Sequence, residues 1–171
     1  MASLTDLPGS AQAMLDSFTV ELEARGVVLP KDQFGQSVRY IAPGIGTLFA
    51  WDKPCLALVF DSAQQGIPGT PSAGNLNAWE LTFSATFNLV LLRDVATLNE
   101  STILPMSESI TADATVTMTD GMHLLLAAVA VKANPPEYDH RQLPFVIGSV
   151  MSVGPEGGIA GNLLQVTVVL S

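Results

Sequence analysis

The stretch "WELTFSATFNLVLLR" (Trp79–Arg93) alternates apolar and polar residues more regularly than any other part of the chain. Strict alternation is typical of an antiparallel strand with one buried and one solvated face. The face predicted to be buried carries Trp79, Leu81, Phe83, Ala85, Phe87, Leu89 and Leu91, and the other carries Glu80, Thr82, Ser84, Thr86 and Asn88. At about 3.3 Å per residue, fifteen residues span roughly 50 Å. Globular strands usually have about 3–10 residues. We therefore expect this strand to bend, or to pair or pack with another subunit.

Three further segments are predicted to be strands. "CLALVF" (Cys55–Phe60) is apolar on both faces, which indicates a fully buried strand. Near the end of the chain, "FVIGSVMSV" (145–153) and "NLLQVTVVL" (162–170) flank the glycine-rich link "GPEGGIAGN". A link of this composition between two apolar runs is typical of a hairpin.

The first predicted helix is "GSAQAMLDSFTVELEARG" (Gly9–Gly26). Ser10 is a suitable N-cap residue, and Gly26 can end the helix in the left-handed conformation. Apolar residues at helical spacing predict one buried face. That face consists of Ala11, Met14, Leu15, Phe18 and Leu22.

The second predicted helix is "SESITADATVTMTDGMHLLLAAVAVKAN" (Ser107–Asn134). Ser107 can cap it, Lys132 suits its last turn, and the Thr, Val and Gly residues around Asp120 allow a kink there. Its buried stripe is predicted to be Ile110, Ala114, Met118, Met122, Leu125 and Val129.

The predicted order is therefore α-β-β-α-β-β in one α+β domain covering residues 1–171. We expect a mixed, largely antiparallel sheet of four or more strands with two packed helices. Two long loops, at 27–54 and 61–77, interrupt this pattern with repeated Pro and Gly. Long loops in compact domains are often functional or ordered by a partner.

The composition favours a protein that forms contacts with other proteins. Only 13% of the 171 residues are charged, against about 25% in an average soluble domain. With 16 acidic and 7 basic residues the net charge is -9, which argues against a nucleic-acid reader. The start "MASLTDLPGS" does not resemble a signal peptide, and the longest apolar run, 124–131, is short of the roughly 20 residues that span a bilayer. We expect no membrane partner.

The sequence offers few groups for catalysis. Cys55, the single cysteine, lies three residues after Asp52, but its place at the start of an apolar strand favours a core residue over a nucleophile. His123 lies within the second helix, where we expect a core or interface histidine. Glu137, Asp139 and His140 lie close together, but a solvated linker explains them better than a metal site.

The sequence motifs of common enzyme and nucleotide sites are missing as well. The chain has no G-x-x-x-x-G-K-[ST], G-x-S-x-G or H-E-x-x-H motif. We therefore predict a protein that is not an enzyme and has neither a cofactor nor a bound metal. A small-molecule binding domain, with Trp51, Trp79 and the glycine loops forming a pocket, remains an alternative.

Two segments and the order of elements carry a family resemblance. The segments are "LEARGVVLP" (22–30) and "RYIAPGIGTLFAWDKPCLALVF" (39–60), and the order combines a late helix with a C-terminal strand pair. Together these features resemble the tail terminator proteins of long-tailed (siphovirus-type) phages, particularly those of actinobacterial hosts. The element order extends this resemblance over nearly the whole chain.

The resemblance implies a structural virion protein that forms a hexameric ring. Such a ring caps the tail tube, stops its polymerisation and joins the tail to the head connector, and DNA passes through its lumen without specific binding. The implied partners are further copies of the chain, the tail tube protein and a connector or head-closure protein. The implied location is the phage neck, after assembly in the host cytoplasm. Another neck protein, such as a head-closure or tail-completion subunit, is the main alternative.

Aromatic residues near the first long loop are our candidates for an assembly interface. Aromatic side chains are enriched at the centres of protein interfaces. Coverage of the sheet edge within the subunit would explain the same residues equally well. The predicted interface residues are Tyr40, Phe49, Trp51, Asp52 and Trp79.

Overall fold

A computed structural model describes residues 7–44, 53–66, 83–95, 107–138, 140–156 and 158–170. These residues form two helices and seven strands, together with some of the connections between them. In chain order they are α1 (Leu7–Ala24), β1 (Arg39–Ala42), β2 (Cys55–Gln65), β3 (Phe83–Asp94), α2 (Ser107–Ala133), β4 (Glu137–Tyr138), β5 (Arg141–Gln142), β6 (Phe145–Glu156) and β7 (Ile159–Leu170).

A five-stranded mixed sheet in the order β1-β2-β3-β7-β6 forms the centre of the fold. The β1–β2 pair is parallel, and the other three pairs are antiparallel. Strands β4 and β5 form a separate short hairpin. The predicted class, an α+β domain with a largely antiparallel sheet and two packed helices, is confirmed.

The structure adds elements where the sequence predicted loops. The four-residue strand β1 lies inside the stretch 27–54, and β2 continues through Gln65, which belongs to the second predicted loop. The predicted C-terminal strands are confirmed, and each extends three residues into the glycine-rich link. Gly154 and Gly158 have positive φ there, which explains why glycine serves at this tight connection.

Both helices pack on one face of the sheet, where they bury the main core. The residues that they enclose on the strands include Leu58 of β2, Phe87 of β3 and Val166 of β7. The opposite face carries a smaller apolar cluster, which includes Cys55, Val90 and Leu163. The molecule is thus a helical layer on a sheet whose second face is also partly apolar.

Strand β3 is the central strand of the sheet, with β2 on one side and β7 on the other. Its described residues pair with β7 over their full length, so this part of the strand does not reach towards another subunit. The predicted solvated face was wrong for Ser84, Thr86 and Asn88, which are all buried. The Ser84 hydroxyl donates to the Gly66 carbonyl at 2.7 Å, and the Thr86 and Thr167 hydroxyls lie 3.1 Å apart. Groups on both sides of β3, the Gly66 carbonyl after β2 and the Thr167 hydroxyl on β7, therefore satisfy the Ser84 and Thr86 hydroxyls.

Helix α1 buries the predicted apolar face and ends as predicted at Gly26. Gly26 has a φ of 78°, its N–H donates to Glu23 O, and the Val27 N–H donates to Leu22 O. These two bonds form a Schellman motif, which satisfies carbonyls at the end of the helix. The predicted cap at Ser10 was wrong, because the helix begins at Leu7 and Ser10 is a buried helical residue.

Helix α2 has the predicted bounds, but it is rotated relative to the prediction. The residues that face α1 and the sheet are Asp120, Gly121, Leu124, Ala127, Ala128 and Val131. The predicted buried stripe instead lies on the outside; Met118 is 67% and Met122 57% exposed. We call this set the outer stripe: Ile110, Ala114, Met118, Met122, Leu125 and Val129, of which only Leu125 is half-buried.

An ion pair explains this rotation. The Arg93 guanidinium, at the end of β3, binds both carboxylate oxygens of Asp120 through Nε and Nη2. Its Nη1 donates to the Val28 carbonyl at 2.7 Å, which also ties the segment after α1 to this point. Asp120 is buried, so the helix must turn this residue towards Arg93. Gly121 then lies against Asn162 of β7, where a larger residue would be crowded.

Replacing Asp120 with Ala is expected to lower the free energy of unfolding by about 3–5 kcal/mol, because it leaves the mostly buried Arg93 without its carboxylate. Denaturant unfolding followed by circular dichroism measures the loss. Asp16→Ala is the matched control, since Asp16 pairs with Arg39 at 2.7 Å in an exposed place. That variant should lose less than about 1 kcal/mol. Equal losses in the two variants would contradict the role of the Arg93–Asp120 pair.

Candidate assembly surfaces

Tyr40 is the predicted interface residue that the structure places. It lies on β1, which runs parallel to β2, and its hydroxyl donates a hydrogen bond to Cys55 Sγ at 3.1 Å. Its side chain is half-buried against the smaller apolar cluster. Tyr40 therefore covers part of the sheet within its own subunit. Phe49, Trp51, Asp52 and Trp79 lie outside the described residues.

Cys55 is the first residue of β2 and is completely buried, as the sequence predicted. Burial raises the pKa of its thiol, and the hydrogen bond from Tyr40 offsets only part of this effect. Burial also raises the pKa of Tyr40, and the Cys55 contact adds to the increase. Both groups therefore stay protonated at neutral pH, whereas a nucleophilic cysteine requires a lowered pKa and access to substrate.

The two histidines lie in different settings. His140 occupies the turn between β4 and β5 with a φ of 61°; its side chain is 98% exposed, and Nδ1 is 4.0 Å from Glu137 Oε1. Asp139 lies outside the described residues. His123 is half-buried on α2. In the part of the chain that the structure describes, no three His, Cys, Asp or Glu residues come together in a way that could hold a metal ion.

The edges of the five-stranded sheet are poorly suited to pairing with another chain. In the described sheet, the edge strand β1 has four residues. The other edge strand, β6, has twelve residues, but its register with β7 shifts between Ile147 and Val150 and again between Val153 and Glu156. Short edge strands and bulges both oppose edge-to-edge association. Assembly through side chains on other surfaces fits this sheet better.

Of the two described helices, α2 carries more exposed large apolar residues than α1, and Ile110, Met118, Met122 and Val129 of the outer stripe are among them. A helix that is apolar on both faces normally has both faces covered. By length and composition, Glu108–Ala133 is also apolar enough to cross a membrane. Core helices of folded domains have the same length and composition, and α2 carries the paired Asp120 and packs on α1, β6 and β7. We interpret the outer stripe as a surface for another protein.

A short turn before β1 holds an exposed aromatic residue that sequence reasoning missed. Phe34 is 78% exposed. The Asp32 carboxylate accepts hydrogen bonds from the Phe34 and Gln36 N–H groups, both at 2.9 Å, and Gly35 adopts a φ of 79°. Lys31 and Ser37 pair across the base of this turn. We call Lys31–Ser37 the Phe34 turn. In the sequence, an Asp three residues before a Gly could have indicated this turn.

A groove of about 300 Å³ lies between the first half of α2 and the β6–β7 hairpin. Its lining is mostly apolar and small, with Ser152, Thr117 and Asp113 as the polar members. The residues that line it are Val95, Ile110, Asp113, Ala114, Thr117, Met118, Ser152, Val153, Gly154 and Ala160. It therefore shares Ile110, Ala114 and Met118 with the outer stripe, and the two form one continuous apolar surface.

No protein-family model matches the chain. No curated protein matches it significantly.

The buried thiol of Cys55 should react slowly in the folded protein. At pH 8, we expect its reaction with Ellman's reagent to be at least about a hundredfold slower than in the unfolded chain, because burial restricts access and the raised pKa lowers the thiolate fraction. The rate should keep rising with pH above the ordinary cysteine pKa of about 8.5.

A Ser149→Cys variant in a Cys55→Ala background provides the control for this measurement, because residue 149 is exposed on β6. Its thiol should react in the folded protein at nearly the rate of the unfolded chain. Rapid modification of Cys55 in the folded wild type would reopen the question of a catalytic thiol.

Proposed function

We propose that the protein is a structural virion subunit that forms a ring at the head–tail junction of a long-tailed phage. The ring, a hexamer in this proposal, caps the tail tube, ends its polymerisation and joins the tail to the head connector. The observation that carries the proposal is the outer stripe of α2, an apolar surface that remains exposed although its helix also packs on the core. Such a surface is typical of a subunit that is completed by neighbours.

The sequence resemblance to tail terminators supplies the type of assembly. The fold is compatible with it, since a small α+β subunit with two blunted sheet edges presents helical and loop surfaces to its neighbours. A hexamer would carry a formal charge of 6 × -9 = -54. Acidic residues that face a lumen would repel DNA and let it pass without binding.

The buried and protonated state of Cys55 supports a non-catalytic role. The groove volume of about 300 Å³ lies at the lower end of the roughly 300–1,000 Å³ typical of small-molecule sites. Its continuity with the outer stripe favours a protein contact over a ligand pocket. Another neck protein, either a head-closure or a tail-completion subunit, is the second candidate, because the same exposed helix would suit it.

A ring should be visible directly. We expect light scattering after size exclusion to give about 6 × 18.0 = 108 kDa for the assembled species and negative-stain images to show closed rings. The variant Met118→Ser/Met122→Ser should weaken assembly at least about tenfold, because it removes two exposed apolar side chains from the outer stripe. Val20→Ser is the matched control, since Val20 is 63% exposed on α1.

Two further measurements separate the neck proteins from one another. Addition of the purified chain to polymerising tail tube protein should limit tube growth if the protein is a terminator, whereas a head-closure subunit would leave tube growth unchanged. Mass spectrometry of purified virions should detect the chain in either case. A protein that stays monomeric at high concentration and is absent from virions would refute the proposal.

A further inference from the structure

We propose that the first part of α2, residues 107–116, unfolds and refolds as a unit of its own while the rest of the helix stays packed on the sheet. We call this segment, roughly three helical turns, the α2 arm. The inference concerns the free energy of the arm within the folded chain and does not rest on the proposed function. It divides the outer stripe into two parts, one of which a partner must order before it can bind there.

The α2 arm is barely packed against the domain. Of residues 108–116, eight are exposed, and only Asp113 is half-buried. The large apolar side chains in this range, Ile110 and Val116, are 53% and 46% exposed. In the second part of the helix, by contrast, Leu124 and Ala128 are completely buried in the main core. Because helices in proteins owe most of their stability to the packing of an apolar face, the arm is much less stabilised than the rest of α2.

The composition of the arm does not compensate for this exposure. Four of its residues, Ile110, Thr111, Thr115 and Val116, are β-branched and lose side-chain freedom in a helix. The Thr115 hydroxyl donates to Thr111 O at 2.8 Å, and bonds of this kind slightly destabilise helices. The second part contains "LLLAA" (124–128), which consists of strong helix formers. An isolated helix as short as the arm is at best marginal in water.

The groove described above lies on the inner side of the arm. Ile110 and Ala114 line it from the helix, and Val153 and Ala160 line it from the β6–β7 hairpin. A space of about 300 Å³ at this place means that the arm meets the sheet less closely than the second part does. The groove is therefore complete only while the arm is helical, and unfolding of the arm removes one of its walls.

The contacts that fix α2 begin where the arm ends. The Asn162 side-chain amide donates to the Thr117 carbonyl, and Arg93 binds the Asp120 carboxylate. Gly121 lies directly against Asn162. These contacts hold the turn from Thr117 to Gly121 on β3 and β7. Unfolding that spreads along the helix from its first residue therefore stops before Thr117.

The boundary has a consequence for binding at the outer stripe. Ile110 and Ala114 belong to the arm, whereas Met122, Leu125 and Val129 belong to the second part. A partner that contacts the arm must also supply the free energy of ordering it, so its affinity is lower than the contact area suggests. Such a partner in turn stabilises the helical arm by mass action. A partner that contacts only the second part meets a surface that is already ordered.

Hydrogen exchange, followed by mass spectrometry of overlapping peptides, tests the inference. We expect protection factors for the amides of 112–116 to be at least about a hundredfold lower than those for 124–131. At low denaturant concentrations, exchange in 112–116 should hardly change, because local unfolding exposes little surface. Exchange in 124–131 should accelerate steadily under the same conditions. Equal protection and equal denaturant dependence in the two ranges would overturn the inference.

A core substitution gives an independent test. Leu124→Ala should lower protection in 124–131 at least about thirtyfold, because Leu124 is completely buried. Protection in 112–116 should change less than about twofold, since opening of the arm leaves the contacts of Leu124 intact. Leu126→Ala, at an exposed leucine of the same helix, is the matched control and should change both ranges less than about threefold.

Parallel losses in both ranges of Leu124→Ala would show that α2 opens as one unit, which would overturn the inference. The denaturant measurement needs no variant, so it decides the question even if Leu124→Ala does not fold.

Discussion

The ion pair between Arg93 and Asp120 determines how the helical layer sits on the sheet. Helix α2 carries apolar residues on both of its faces, so hydrophobic burial alone leaves its rotation undecided. A buried carboxylate without a partner would cost several kcal/mol, which excludes any rotation that turns Asp120 away from Arg93. The same guanidinium holds the Val28 carbonyl, so one side chain positions α2 and the segment after α1 together. The outer stripe is exposed because α2 is rotated so that Asp120 lies towards Arg93.

The sequence predicted correctly several structural features that depend on residues close together in the chain. The presence of a strand at β3, the end of α1 at Gly26 and the buried start of β2 at Cys55 depend on near neighbours, and the structure confirms all three. The wrong face of α2 has a long-range cause, since Arg93 and Asp120 lie 27 residues apart in sequence. The spacing of apolar residues within a helix does not show which of its two apolar faces will pack on the sheet when a residue distant in sequence, such as Arg93, decides this.

Three other features were not predicted from the sequence, each for its own reason. The polar residues Thr86 and Asn88 look solvent-facing from their alternation, but both are buried in the central strand, with partners distant in sequence, Thr167 on β7 and Asp61 on β2. Strand β1 has four residues and pairs in parallel with β2, so its period is too short to read. The exposed position of Phe34 was missed because a pattern of apolar residues does not report exposure.

The twist of the sheet has a consequence for the size of any ring. Adjacent strands rotate by roughly 20–25° on average, and β1 and β6 are separated by four such steps. Side chains at the two edges of the sheet therefore differ in orientation by an angle that accumulates through β2, β3 and β7. If neighbouring copies in the proposed ring met through these two sides of the subunit, this angle would contribute to the rotation between successive subunits. The number of copies in a closed ring would then depend on the twist of the central sheet, even if the core of the sheet itself contacts no neighbouring subunit.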